Sequence, residues 1–139
     1  MRHTLQNAQG RTHSQHLKNK EGIIGIAIGT TPTINIAIAA LDFETVVKSS
    51  FKVYFKQPAS DEVIVKEGDA IEFEDETHTV KTFLTQNDTL GLKKGKLNIE
   101  VRWLFEDLLP NGEHSAGKTA PLETTVTDPV LKNEVITDD

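Results

Sequence analysis

Apolar and polar side chains alternate along much of this chain with the period of a strand, and no useful length carries the period of a helix. Leu97, Ile99, Val101, Trp103 and Phe105 alternate with Asn98, Glu100, Arg102 and Leu104, which predicts a long strand with one buried face. Just ahead of it, Gln86 to Lys96 places Asn87, Asp88, Gly91 and Gly95 around Leu90 and Leu92, a polar turn pinned by leucines. Such a turn feeding a long apolar strand predicts a crossing from one sheet of a β-sandwich to the other.

The same alternation places the other strands. Ile34, Ile36 and Ile38 alternate with Asn35, Ala37 and Ala39, and Pro32 suits the start of that strand. Ahead of it the run from Ile23 to Ile28 is broken by Gly25, with Gly29 behind. These glycines fit a bend between two short strands, because neither usual phosphate-binding spacing is present and no helix follows. Asp42 to Ser50 is a connection whose conformation the pattern leaves open. Phe51, Val53 and Phe55 form the next strand, ended by Pro58, and Val63 to Lys66 a short one. Glu67-Gly68-Asp69 has hairpin-turn chemistry and leads to Ile71 and Phe73. Asp75 and Glu76 mark the next turn, before His78, Val80, Thr82 and Leu84. Beyond the long strand, Leu109 to Glu113 is a turn centred on Asn111-Gly112, and Leu122, Thr124 and Val126 close the domain. Seven or eight strands at roughly ten-residue spacing predict an all-β protein, a single antiparallel sandwich. The expected organisation is an extended polar arm over 1–22, the sandwich over 23–128 and a short acidic tail over 129–139.

Size and charge sharpen this picture. At 139 residues the chain is one domain, large enough to bury a core without staples, and it has no cysteine for a disulfide or a thiolate metal site. The first 22 residues hold Arg2, Arg11, Lys18 and Lys20 against Glu21, a charge of +3, whereas the remainder carries −9. A basic arm on an acidic body points to an acidic protein surface as its partner, including the body of a neighbouring copy. Four cations spread over 22 residues make a weak phosphate footprint, so nucleic acid is not the expected partner. The arm is too poor in large apolar residues to fold by itself. It has no signal-peptide core, and no apolar run approaches the roughly 18 residues of a membrane span. A soluble protein made in the cytoplasm, with no membrane partner, is expected.

Candidate chemistry thins out on inspection. His3, His13 and His16 lack the further ligands and fixed scaffold of a structural zinc site. Glu72, Glu74, Asp75 and Glu76 fall on the solvent face of a strand and in a turn, without the ligand pattern of a calcium loop. Asn87-Asp88-Thr89 has the form of a glycosylation acceptor but fits a turn better. Ser49, Ser50 and Ser115 have no nucleophile-elbow frame, and Trp103 belongs to the core side of its strand. No catalytic set, cofactor site or metal site is expected. The candidate partner-binding residues are those of the arm: Arg2, Arg11, Lys18 and Lys20.

GTTPT before a hydrophobic strand, then LTQNDTLGLKKGKLNIEVRW, a turn, a threonine-rich last strand and LKNEVI, resembles small immunoglobulin-like virion proteins of tailed phages and prophages. The pattern is also similar to the N-terminal domain of upper baseplate proteins of phages that infect Gram-positive bacteria. The resemblance covers about residues 29–136. It implies an immunoglobulin-like sandwich with a structural, non-enzymatic role in a virion assembled in the host cytoplasm. Head decoration, neck, tail and baseplate all remain open as stations, and other virion proteins are the implied partners. This chain departs from the baseplate proteins in lacking a large stalk or receptor-binding region and in adding the polar arm. The expected mechanism is docking through the sandwich, with the arm threaded along a neighbour, including exchange between copies. The alternative is a carbohydrate-binding or adhesin-like module that uses an exposed Tyr54 or the loop from Asp107 to Lys118.

Overall fold

In the computed structural model, residues 25–128 are described in full and residues 2–8 and 16–18 as backbone. The arm contributes β1 (Arg2–Ala8) and β2 (His16–Lys18). Then come β3 (Gly25–Ala27), β4 (Thr33–Ala39), β5 (Val46–Lys56), β6 (Val63–Glu67), β7 (Glu72–Glu74) and β8 (Thr79–Phe83). A five-residue helix, α1 (Gln86–Leu90), precedes the long β9 (Gly95–Leu108), and β10 (His114–Lys118) and β11 (Leu122–Thr127) complete the chain. The protein is all-β, as the alternation predicts.

Two curled sheets result. The first has the order β2-β1-β4-β8-β7; the second has the order β3-β11-β9-β5-β6, with β10 also paired to β9. Alternation fills the space between them: Ile34, Ile36, Ile38 and Val80 come from the first sheet, and Phe51, Val53, Phe55, Leu97, Ile99, Val101, Trp103, Leu122 and Val126 from the second. Burying each of these side chains is worth about 1.5–3 kcal/mol of transfer free energy, so a one-residue slip in β9 would forfeit its whole set.

Three expectations change. The sheets are not wholly antiparallel, because β1 runs parallel to β4 and β3 parallel to β11. Both pairs join segments far apart in sequence, where no hairpin turn imposes a reversal. The strand count is higher, because the arm supplies β1 and β2 and the Asp107–Lys118 segment supplies β10. Glu67-Gly68-Asp69 does not close a hairpin. Gly68, at φ +60°, starts a 3-10 turn that carries the chain from β6 in the second sheet to β7 in the first. The Thr82 hydroxyl holds that turn by donating to the Ala70 carbonyl at 2.8 Å. The open connection before Ser50 resolves into a 3-10 turn over Phe43–Thr45, capped by Asp42, and the irregular first half of β5. The predicted Asn-Gly turn does join β9 to β10, with Gly112 at φ +89°.

One end of the core is aromatic. Trp103 stacks on Phe51 with centroids 5.4 Å apart, and Phe73 and Phe43 meet Phe51 edge-on at 4.9 and 5.9 Å. Gly117 on β10 lies opposite Trp103, and a Cβ there would sit 2.7 Å from the indole ring. Past it β10 gives way to β11 along the same edge of β9. At that break Thr119 fills in for a strand, its amide donating to the Val101 carbonyl at 2.9 Å and its hydroxyl accepting from the Val101 amide at 3.0 Å. Gly117→Ala should therefore destabilise the fold by about 1–3 kcal/mol through overpacking, measured as a lower denaturation midpoint with a shifted Trp103 emission.

Candidate interaction surfaces

The turn before β9 is a lock between the sheets. Thr85 caps α1 by accepting from the Asp88 amide at 3.0 Å, while the Asp88 carboxylate accepts from the Thr85 amide at 2.8 Å, a reciprocal capping box. Thr89 is fully buried, and its hydroxyl accepts from the Gly29 amide at 3.0 Å and donates to the Thr30 carbonyl at 2.8 Å. Gln86 Nε2 donates to the Gly29 carbonyl at 3.1 Å, and the Leu84 amide to the Pro32 carbonyl at 3.1 Å. The GTTPT and LTQNDTLGL segments, far apart in sequence, are one hydrogen-bonded unit. The formal glycosylation acceptor is thus consumed by structure, since the threonine it needs is buried.

Lys66 ties this unit to β6. Its ammonium lies 2.7 Å from Asp88 Oδ2 and 5.1 Å from the centre of the Phe83 ring. Burial works to raise the Asp88 carboxyl, but hydrogen bonds from Lys66 and Thr85 outweigh it and hold its pKa below the usual 3.8. A lowered folded pKa means that this stabilisation is fully present above the unfolded value and is lost as pH falls through the folded one. Asp88→Asn should remove that increment at neutral pH, leaving variant and parent closest at the acid end of a stability–pH curve. Thr89→Val should cost about 1–3 kcal/mol by stranding buried backbone groups, read from chemical denaturation.

An open groove of about 820 Å³ lies between the β5–β6 connection and the loop after α1. Gln57 spans its floor, donating to the Lys93 and Lys96 carbonyls at 2.7 and 3.2 Å and accepting from the Lys93 amide at 3.0 Å. These contacts hold the loop, and Asp61, Glu62, Lys93, Lys94 and Lys96 also line the groove. Among the described residues no three His, Asp or Glu side chains gather where they could hold a metal.

Two apolar patches stand out on the surface. On the outer face of the second sheet, Val63 and Val65 of β6 are 46% and 40% exposed. Val65 pairs with Tyr54 on β5, and Arg102 of β9 lies 5.0 Å over the Tyr54 ring. Tyr54, expected to be free, is therefore half-buried. By strand alternation this face carries Lys52, Lys56, Lys96, Arg102 and Lys118 against Glu67, Glu100 and Glu123, an excess of two positive charges on an acidic protein. The second patch is the tip of the β9–β10 hairpin, where Leu108 and Leu109 are 60% and 44% exposed among Glu106, Asp107 and Glu113. The sequence shows EDLLPNGE plainly enough, but not that the turn projects clear of the core.

The arm residues are divided. Arg2 lies on β1 in register with Thr33 of β4, and Lys18 on β2 in register with Thr4. Arg11 and Lys20 fall outside the described residues, as do His13 and the 129–139 tail. Beside β1, Asn35 is 3% exposed, and among the described residues neither its amide nitrogen nor its carbonyl oxygen has a hydrogen-bond partner. A buried amide in that state costs about 1–3 kcal/mol for each group left unsatisfied.

The fold is that of a small all-β domain. No protein-family model matches the chain, and no curated protein matches it. Among solved structures it is similar to the N-terminal domain of phage TP901-1 ORF48, with a TM-score of 0.56 and 14% sequence identity, over 90% of this chain and 97% of that one. This chain therefore shares its fold with a domain of a phage protein. No helix among the described residues is long and apolar enough to cross a membrane.

Proposed function

We propose that this protein is a non-enzymatic structural component of a phage virion that docks through its sandwich and its N-terminal arm. The observation that carries the reading is the fold held in common, over nearly the full length of both chains, with the N-terminal domain of phage TP901-1 ORF48. The platform is an immunoglobulin-like variant of the sandwich with parallel strands added at its edges. Its partners are other virion proteins, and its station is the head, neck, tail or baseplate.

The arm is the part of the chain suited to joining neighbours. β1 extends the first sheet by parallel backbone pairing with β4, an attachment that the β4 of a second copy offers equally well. Arg2, Arg11, Lys18 and Lys20 bring the charge that an acidic body attracts.

Deleting residues 2–22 should leave a folded domain that no longer enters particles, scored by its absence from purified particles while the full chain is incorporated. Normal incorporation of the truncated protein would sink the arm's role. Exchange between copies has its own measurement, made clean by the absence of native cysteine. Gln6 and Ala37 are in register across β1 and β4, so mixing Gln6→Cys protein with Ala37→Cys protein should give a disulfide-linked heterodimer. Its absence would confine the arm to its own chain.

A further inference from the structure

We propose that Asn111, at the tip of the β9–β10 hairpin, is a site of spontaneous covalent modification that turns its side-chain amide into an aspartyl or isoaspartyl group. Of the chain's asparagines, Asn111 alone is followed by glycine. The reaction begins when the backbone nitrogen of the following residue attacks the side-chain carbonyl carbon. A Cβ on that residue would shield its nitrogen, and Gly112 has none. The space where a Cβ would stand is open, with nothing within 4 Å.

The turn prepares the amide for this attack. The Gly112 amide donates to the Leu109 carbonyl at 2.8 Å, closing a β-turn with Pro110 and Asn111 at its centre. Just beyond, the Glu113 amide donates to Asn111 Oδ1 at 3.0 Å. That bond draws charge from the side-chain carbonyl and stands where negative charge develops on Oδ1 during attack. The Gly112 bond opposes the reaction until it opens, but residues 106–114 are all exposed and water reaches it freely. Hydroxide then takes the Gly112 amide proton, the bond from Gly112 N to Asn111 Cγ forms, and the Cγ–Nδ2 bond breaks. Ammonia leaves, protonated by water, and a second water opens the cyclic imide at either carbonyl. Either product adds a negative charge beside Glu106, Asp107 and Glu113. The isoaspartyl form also leads the main chain through the side chain, one carbon longer, so the turn bonds from Gly112 to Leu109 and from Leu109 to Glu113 no longer both close. The tip that presents Leu108 and Leu109 is altered with age while the core beneath stays intact.

The test incubates the folded full chain at mildly alkaline pH, then digests it and weighs the peptides. Loss of the Asn111 side-chain amide is expected ahead of every other asparagine, including Asn87, which is exposed but sits in α1 before Asp88. A more acidic species should build up on ion exchange, matching Asn111→Asp in charge, and an isoaspartyl methyltransferase should label part of it. Asn111→Ser protein should give neither signal. Should that change loosen the hairpin, as circular dichroism would show, Asn111→Gln replaces it, since its longer side chain must close a larger ring. An Asn111 that stays intact in the folded chain while the same chain in urea converts would overturn the proposal. So would earlier loss at another asparagine, or an acidic species that grows at the parent's rate in the Asn111→Ser protein. None of these outcomes bears on the arm deletion, so the two ideas fail separately.

Discussion

The buried hydroxyl of Thr89 is the contact on which the relation between the two sheets depends. Hydrophobic burial presses the sheets together, but it is non-directional and would tolerate several rotations of one on the other. The chain crosses from the second sheet to the first at Gly29–Thr30, and a later crossing, from β8 in the first sheet to β9 in the second, runs through α1. Thr89 bonds α1 to both residues of the outward crossing, and Gln86 adds a third bond. Two crossings, widely separated in sequence, thereby share one geometry. Because the site is fully buried, any misalignment would strand a backbone amide or carbonyl without water, and that cost makes the alignment specific.

The rest of the framework follows from this lock. With α1 fixed, Asp88 is placed where Lys66 reaches it, so β6 is drawn in at the sheet edge by an inward-pointing cation, which also discourages non-specific strand addition there. β9 leaves the lock already in register and runs the length of the second sheet. Its first half pairs with β11 and its second half with β10, with Thr119 at the change. Trp103 then fills the aromatic end, where Gly117 permits β10 to approach the indole face. Beyond the core β9 continues as a free hairpin, and that extra length is what presents Leu108 and Leu109 to solvent.

Such a molecule has its interior committed to stability and its surface divided by charge. Lys66, Asp88, Thr85, Gln86 and Gln57 resemble binding groups in one dimension, but in the fold they satisfy each other or the backbone. The surface itself comprises the β2–β1 end of the first sheet, the outer face of the second sheet and the acidic hairpin tip. The proposal of a virion piece rests on the fold it has in common with a phage domain.

Much of the framework was legible in one dimension because alternation is a local property. The face of each strand, the core position of Trp103 and the sheet crossing before β9 follow from which side of a pleat an apolar residue must take. Tertiary structure alone decided the parallel pairings, the route from β6 to β7, and the neighbours of the turn residues. Those depend on contacts between segments far apart, where many arrangements bury similar area and hydrogen-bond geometry selects among them. Sequence spacing could place Thr89 in a turn, but only the fold could place Gly29 and Thr30 against its hydroxyl.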